Sequence, residues 1–170
     1  CAGNGIIKGE EVIAIKIPPG VGNGMQISMN GKGNAAPNNG INGDLFVLIE
    51  EIPHDLYERD GNNLYLEHYI TFPQAVLGTS IDIPTIEGKA RIKITPGTQS
   101  GTLLRLQGKG LPELQSYHKG DLIVNINVWI PKELSKEEKQ MIEGFSHSDN
   151  FQPKAQKQAS FFKRVKQFFE

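Results

Sequence analysis

Ile17-Pro18-Pro19-Gly20, then Gly31-Lys32-Gly33, then Gly43-Asp44-Leu45 form a set of anchors that the chain uses twice. They return as Ile94-Thr95-Pro96-Gly97, Gly108-Lys109-Gly110 and Gly120-Asp121-Leu122, and 94 − 17, 108 − 31 and 120 − 43 all give 77. Gly24 and Gly101 share this register, as do Ile15 and Ile92, Lys16 and Lys93, Val47 and Val124, and Ile49 and Ile126. Self-similarity at a fixed period marks one folded unit used twice.

The unit reads as β. Ile13, Ile15 and Ile17 alternate with Val12, Ala14 and Lys16, and side chains of a strand change face at every residue, so Glu11–Ile17 is expected to be a strand with one apolar face. Pro19-Gly20 then turns the chain, because proline presets φ and glycine accepts positive φ. Met25, Ile27 and Met29 alternate with Gln26, Ser28 and Asn30 in a second strand, and Asp44–Glu51 returns as a third. Ala90–Ile94, Thr102–Gln107 and Asp121–Ile130 are the expected counterparts. The second copy has a longer opening over 60–72, a helical turn over Pro73–Gly78, and a strand over Thr79–Pro84. Subtracting 77 places the matching opening of the first copy before residue 1, so the chain is expected to be part of something longer. The fold class is therefore mainly β: two tandem small β-sandwich-like domains related by the repeat, then a C-terminal helix and a short terminal helix.

Composition agrees. Nineteen glycines and ten prolines in 170 residues suit turn-rich β structure. Eighteen basic side chains face nineteen acidic ones, so no global field draws the chain to nucleic acid. A single cysteine forms no internal disulfide and points to a reducing compartment. No apolar run approaches the ~18–20 residues that span a bilayer, and no signal-peptide core appears, so a cytoplasmic protein is expected.

No catalytic constellation stands out, and no enzyme is expected. Gly20-Val21-Gly22-Asn23-Gly24 follows a strand, but a phosphate loop must feed a helix and the next residues alternate as a strand. Pro53-His54-Asp55 offers a base beside a carboxylate with no nucleophile near it, and reads as a linker between the copies. Glu50, Glu51, Glu58 and Asp60 show no pairing that names a glycosidase. Leu45-Phe46-Val47-Leu48-Ile49 is apolar on both faces, whereas Leu122–Asn127 keeps one face partly polar. This stretch is either a strand buried on both sides or an apolar groove left open for a ligand.

After Pro131 the period changes to helical. Ser135 and Glu138 have capping-box spacing, and Met141, Ile142 and Phe145 make an apolar stripe. Residues 146–160 are polar and aperiodic, as in a linker. In the last eleven residues Phe161, Phe162, Val165, Phe168 and Phe169 fall on a helical arc of about 120°. So short a helix must dock on its own body, a second copy or a membrane, and docking on protein is favoured.

These residues resemble the C-terminal, substrate-binding portion of the bacterial DnaJ co-chaperones. Cys1-Ala2-Gly3-Asn4-Gly5 is similar to the close of the family's last zinc-binding repeat. Ile17-Pro18-Pro19-Gly20-Val21, Gly43-Asp44-Leu45, Arg59-Asp60-Gly61-Asn62-Asn63-Leu64-Tyr65, Ala75-Val76-Leu77-Gly78, Ile83-Pro84-Thr85, Arg105–Gly110 and the Phe-Phe tail follow in the family's order. The resemblance implies the end of a zinc region over 1–8, a first β domain over 9–56 lacking its opening strands, and a second over 57–131. It implies a helix over 132–147, a linker over 148–159 and a dimerisation helix over 160–170. It further implies that the first domain binds unfolded, apolar polypeptide segments, added as a strand over an apolar pocket, for delivery to a DnaK-type chaperone. The pocket residues it implies are Ile13 and Val47, with Ile15, Phe46 and Leu48 beside them. Phe161, Phe162, Val165, Phe168 and Phe169 would form a homodimer interface.

Two departures matter. The J domain's His-Pro-Asp triplet is absent, Pro53-His54-Asp55 having another order, so no stimulation of the partner's ATPase is expected. Of the zinc cysteines only Cys1 is present, so no cofactor is expected here, although zinc is implied for an intact protein; neither nucleic acid nor membrane is expected as a partner. The alternative reading is a tandem β interaction and oligomerisation module that binds no client. A lectin or carbohydrate-active β-sandwich is disfavoured, because Trp129 is the single tryptophan.

Overall fold

The computed structural model describes residues 5–153. They fall in two compact units, one within Cys1–Trp129 and one within Ile130–Glu170.

In the first unit the strands are β1 (Gln26–Met29), β2 (Leu45–Leu48), β3 (Glu58–Asp60), β4 (Asn63–Thr71), β5 (Thr79–Thr85), β6 (Gly88–Ile94), β7 (Thr102–Leu106) and β8 (Leu122–Trp129), with helix α1 (Phe72–Leu77) between β4 and β5. They make a β1–β2 hairpin, a four-stranded sheet in the order β3-β4-β8-β7, and a β5–β6 hairpin. All pairings are antiparallel except β4 with β8, which runs parallel from Leu64↔Leu122 to Thr71↔Trp129. Leu64, Leu66 and Ile70 of β4 and Leu122, Val124 and Ile126 of β8 alternate onto one face. There they meet Ile83 of β5, Ile94 of β6 and Ala75 of α1 in one buried cluster. Thr71 caps α1 in a capping box with Gln74, and Pro73 costs nothing in the first turn, whose N–H groups have no helical partner.

The repeat is visible atom by atom. The Gly31 N–H donates to Asp44 Oδ1 at 2.8 Å and the Gly108 N–H to Asp121 Oδ1 at 2.8 Å. Gly33 N donates to Gly43 O and Gly110 N to Gly120 O; Gly24 N donates to Ile49 O and Gly101 N to Ile126 O. The pair Ile27↔Val47 becomes Leu104↔Val124. Gly20, Gly24 and Gly31 have φ of 88°, 77° and 68°, and Gly97, Gly101 and Gly108 have 80°, 82° and 66°, a backbone region open chiefly to glycine.

One expected strand differs. Glu11–Ile17 has no ladder partner among the described residues, whereas its counterpart in β6 pairs with β5. The residues 77 earlier than β5 are Ala2-Gly3-Asn4-Gly5-Ile6-Ile7-Lys8, which replace Thr79-Ser80-Ile81-Asp82-Ile83-Pro84-Thr85. The glycines and asparagine there lack the alternating β-branched side chains that favour a strand. The other expected strands agree to within a few residues at each end.

In the second unit α2 (Lys136–Phe145) begins at the capping box formed by Ser135 and Glu138. The start of the expected linker is ordered by an aromatic contact. Asp149–Phe151 forms a 3-10 turn whose Phe151 ring stacks on Phe145 at 4.9 Å.

Candidate functional site

β2 has one ladder partner, β1, among the described residues, whereas its counterpart β8 is paired on both edges. Four consecutive apolar residues, Leu45-Phe46-Val47-Leu48, therefore sit on a strand with an open edge. Their alternation is clean: Leu45 and Val47 are half-buried, while Phe46 and Leu48 are 59% and 72% exposed. Ile27 lies opposite Val47 on the same face. Ile13 is half-buried in the extended segment before the first turn, and Ile15 is exposed. So Val47 lies on one face of β2, and Phe46 and Leu48 on the other. The counterparts of Val47 and Leu45 show what a completed sheet does with that face: Val124 is fully buried and Leu122 likewise. Cys1 and the tail residues Phe161, Phe162, Val165, Phe168 and Phe169 lie outside the described residues.

A second feature has no signal in the periodicity of the sequence. A cleft of about 1160 Å³ opens between the two copies, lined among others by Met25, Glu51, His54, Tyr57, Ile86 and Leu111. Arg59 of β3 crosses it. Its Nη1 donates to Val21 O at 3.0 Å and pairs with Glu51 at 3.1 Å, and its Nε donates to Gly61 O at 2.8 Å. One guanidinium thus ties the Pro-Gly turn of the first copy and the exit from β2 to the β3–β4 turn. The Gly20 backbone completes the junction, since a Cβ there would lie 2.5 Å from Pro112 O. The His54 and Tyr57 rings meet at 5.0 Å beside the cleft, and burial pushes the Tyr57 phenol above its ordinary range. No periodicity singles out Arg59, because partners such as Val21 and Gly20 lie 38 and 39 residues away in the sequence.

Electrostatics at the loops serve structure. Asp121 is buried at the start of β8; the Gly108 N–H and then the Arg105 guanidinium hold its carboxyl below the usual range. Glu87, at the β5–β6 turn, is lowered by Lys119 and Lys109, which both pair with it.

Among the described residues no three His, Cys, Asp or Glu side chains cluster to hold a metal ion. Zinc needs four such donors, and the residues described do not fit it. No described helix is long and apolar enough to cross a membrane.

Fold and surface together define a repeated β module whose first copy carries apolar side chains on an open strand. The family described as DnaJ C terminal domain matches residues 4–131. Along its whole length the chain is 51% identical to the chaperone protein DnaJ of Bacteroides thetaiotaomicron, covering 43% of that protein. It is 43% identical to the chaperone protein DnaJ of Salinibacter ruber over 172 residues, covering 99% of this chain and 44% of that one. It is 40% identical to that of Halalkalibacterium halodurans over the whole chain, covering 46% of that protein. The chain belongs to the DnaJ C-terminal domain family. It spans less than half the length of these relatives.

Proposed function

We propose that this chain is the client-binding part of a DnaJ-type co-chaperone, taking unfolded apolar segments at its first β copy for delivery to a DnaK-type partner. The observation that carries the reading is the edge of β2 that has no ladder partner among the described residues, with Phe46 and Leu48 in water and Val47 half-covered. An unpaired edge offers N–H and C=O groups to an incoming strand, and apolar side chains beside it reward burial. Ile13 and Val47 are the pocket, Ile15, Phe46 and Leu48 its surroundings. The tail residues Phe161, Phe162, Val165, Phe168 and Phe169 pair two copies, which holds two such edges in one particle.

Aggregation of a chemically denatured client, with and without this chain, tests the reading. Val47→Asp places a carboxylate among apolar groups at a cost of several kcal/mol, so it should lose protection while keeping the parent's circular dichroism. Equal protection by a folded Val47→Asp chain would remove the pocket assignment. Sedimentation of Phe162→Ser/Phe169→Ser against the parent tests the pairing, which fails if the parent is already monomeric at micromolar concentration.

A further inference from the structure

Asparagine followed by glycine occurs five times, at Asn4-Gly5, Asn23-Gly24, Asn30-Gly31, Asn39-Gly40 and Asn42-Gly43, and none of the five is in the second copy. At the counterparts of the second, third and fifth the other copy has Ser100-Gly101, Gln107-Gly108 and Lys119-Gly120. Asn-Gly is the dipeptide most prone to spontaneous deamidation. The glycine nitrogen, unscreened by a Cβ, attacks the asparagine Cγ as its own proton passes to solvent, and ammonia leaves. Water then opens the resulting succinimide to aspartate or isoaspartate, so amide plus water gives acid plus ammonia. The reaction needs the glycine N–H to be free.

In the fold the amides of Gly24, Gly31, Gly40 and Gly43 are occupied, but not equally. Gly24 N donates to Ile49 O at 2.8 Å, just beyond the open end of the β1–β2 ladder, and Asn23 Oδ1 accepts from Glu51 N at 3.0 Å. Gly43 N donates to Asn34 O at 3.0 Å, Gly40 N to Pro37 O at 3.2 Å, and Asn42 Oδ1 accepts from Ala36 N. Freeing any of these nitrogens moves backbone. Gly31 is different, because its N–H is held at 2.8 Å by the exposed side chain of Asp44. One side-chain rotation releases it. While in place, the carboxylate both occupies the N–H and opposes its deprotonation, since a like charge is disfavoured at that distance.

We propose that Asn30-Gly31 is a spontaneous deamidation site of this chain and that the Asp44 carboxylate is its guard. The second copy shows the guard without the target. Asp121 holds Gly108 in the same way, but it is buried and also paired with Arg105, and the residue before Gly108 is Gln107, whose ring closure would be six-membered and slow. Deamidation at Asn30 places a new carboxylate beside Asp44. Through isoaspartate it also adds a backbone carbon at the end of β1, next to the Met29↔Leu45 pair.

The test is peptide mapping by mass spectrometry of the 170-residue chain aged in mildly alkaline buffer, reading acid and isoaspartate at each Asn-Gly. In the parent, Asn30 should convert ahead of Asn23 and Asn42. Asp44→Ala should raise the Asn30 rate about tenfold, as expected for loss of a charge-assisted hydrogen bond, and leave Asn23 unchanged. Asp44→Asn, which keeps an acceptor oxygen without the charge, should fall between parent and Asp44→Ala. Gln107→Asn, guarded by the better-tied Asp121, should convert more slowly than Asn30. An Asn30 rate indifferent to residue 44, a rise shared equally with Asn23 and Asn42, or a Gln107→Asn site faster than Asn30 would each overturn the proposal.

Discussion

Asp121 shows how much one side chain organises. It accepts from Gly108, pairs with Arg105, and donates its own N–H to Asn63 Oδ1 at 2.9 Å, so β7, the turn after it and the start of β4 converge on it. Its pKa is lowered by bonds that exist only in the fold, as are those of Asp82 beside Arg91 and Glu87 beside Lys119 and Lys109. A folded-state pKa below the unfolded one contributes stability that is complete above the ordinary carboxylate range, about pH 4, and is lost as pH falls through the lowered values. The melting temperature should therefore drop on acidification below that range. Asp121→Asn should flatten part of this drop while lowering stability at neutral pH, and an unchanged acid profile would contradict the assignment. Gly120 makes the same loops close: a Cβ there would fall on the Asn62 carbonyl. Gly120→Ala should cost about 1–3 kcal/mol, as overpacking does, measurable by urea unfolding. Gly61→Ala, with open space but a φ of 58°, should cost less, through backbone strain alone.

At the scale of elements, β2 and β8 are one strand in two settings. Leu122 is fully buried and Leu45 only half so. Leu122→Ala should therefore destabilise by about 2–5 kcal/mol, and Leu45→Ala by clearly less, because the cavity term needs walls on every side. Equal losses in denaturant unfolding would mean the two settings are alike in solution. The period-2 pattern of Ile27 and Met29, and of Leu122 to Ile126, made these strands legible, since burial and alternation agree there. The capping boxes at Thr71 and Ser135 were legible in the same way, as local chemistry. Glu11–Ile17 misled because alternation states which face a strand would bury but not whether a neighbour exists to pair with it. The candidate site was half legible. Leu45–Leu48 was marked by apolar residues on both faces, whereas the cleft and Arg59 depend on contacts some forty residues apart, which no periodicity records.

For the whole unit, Arg59 is the tie between the copies. Arg59→Ala removes its bonds to Val21, Glu51 and Gly61 together. Hydrogen exchange should then quicken at Gly24 and Ile49 of the first copy, while Leu66 and Val124 stay protected. Uniform quickening would show that the copies open as one. The parallel pairing of β4 with β8 carries a consequence of another kind, for the order of folding. The hairpins β5–β6 and β7–β8 close over short stretches of chain, but Asn63 meets Asp121 across 58 residues. Loop entropy is spent on that distance before the ladder returns anything, so such pairings form slowly. During synthesis β4 leaves the ribosome with its parallel neighbour still unmade, and Leu64, Leu66 and Ile70 stay uncovered until residue 129 has emerged. For that interval the nascent chain carries its own apolar segment in water, exposed to the wrong partners before the right one exists.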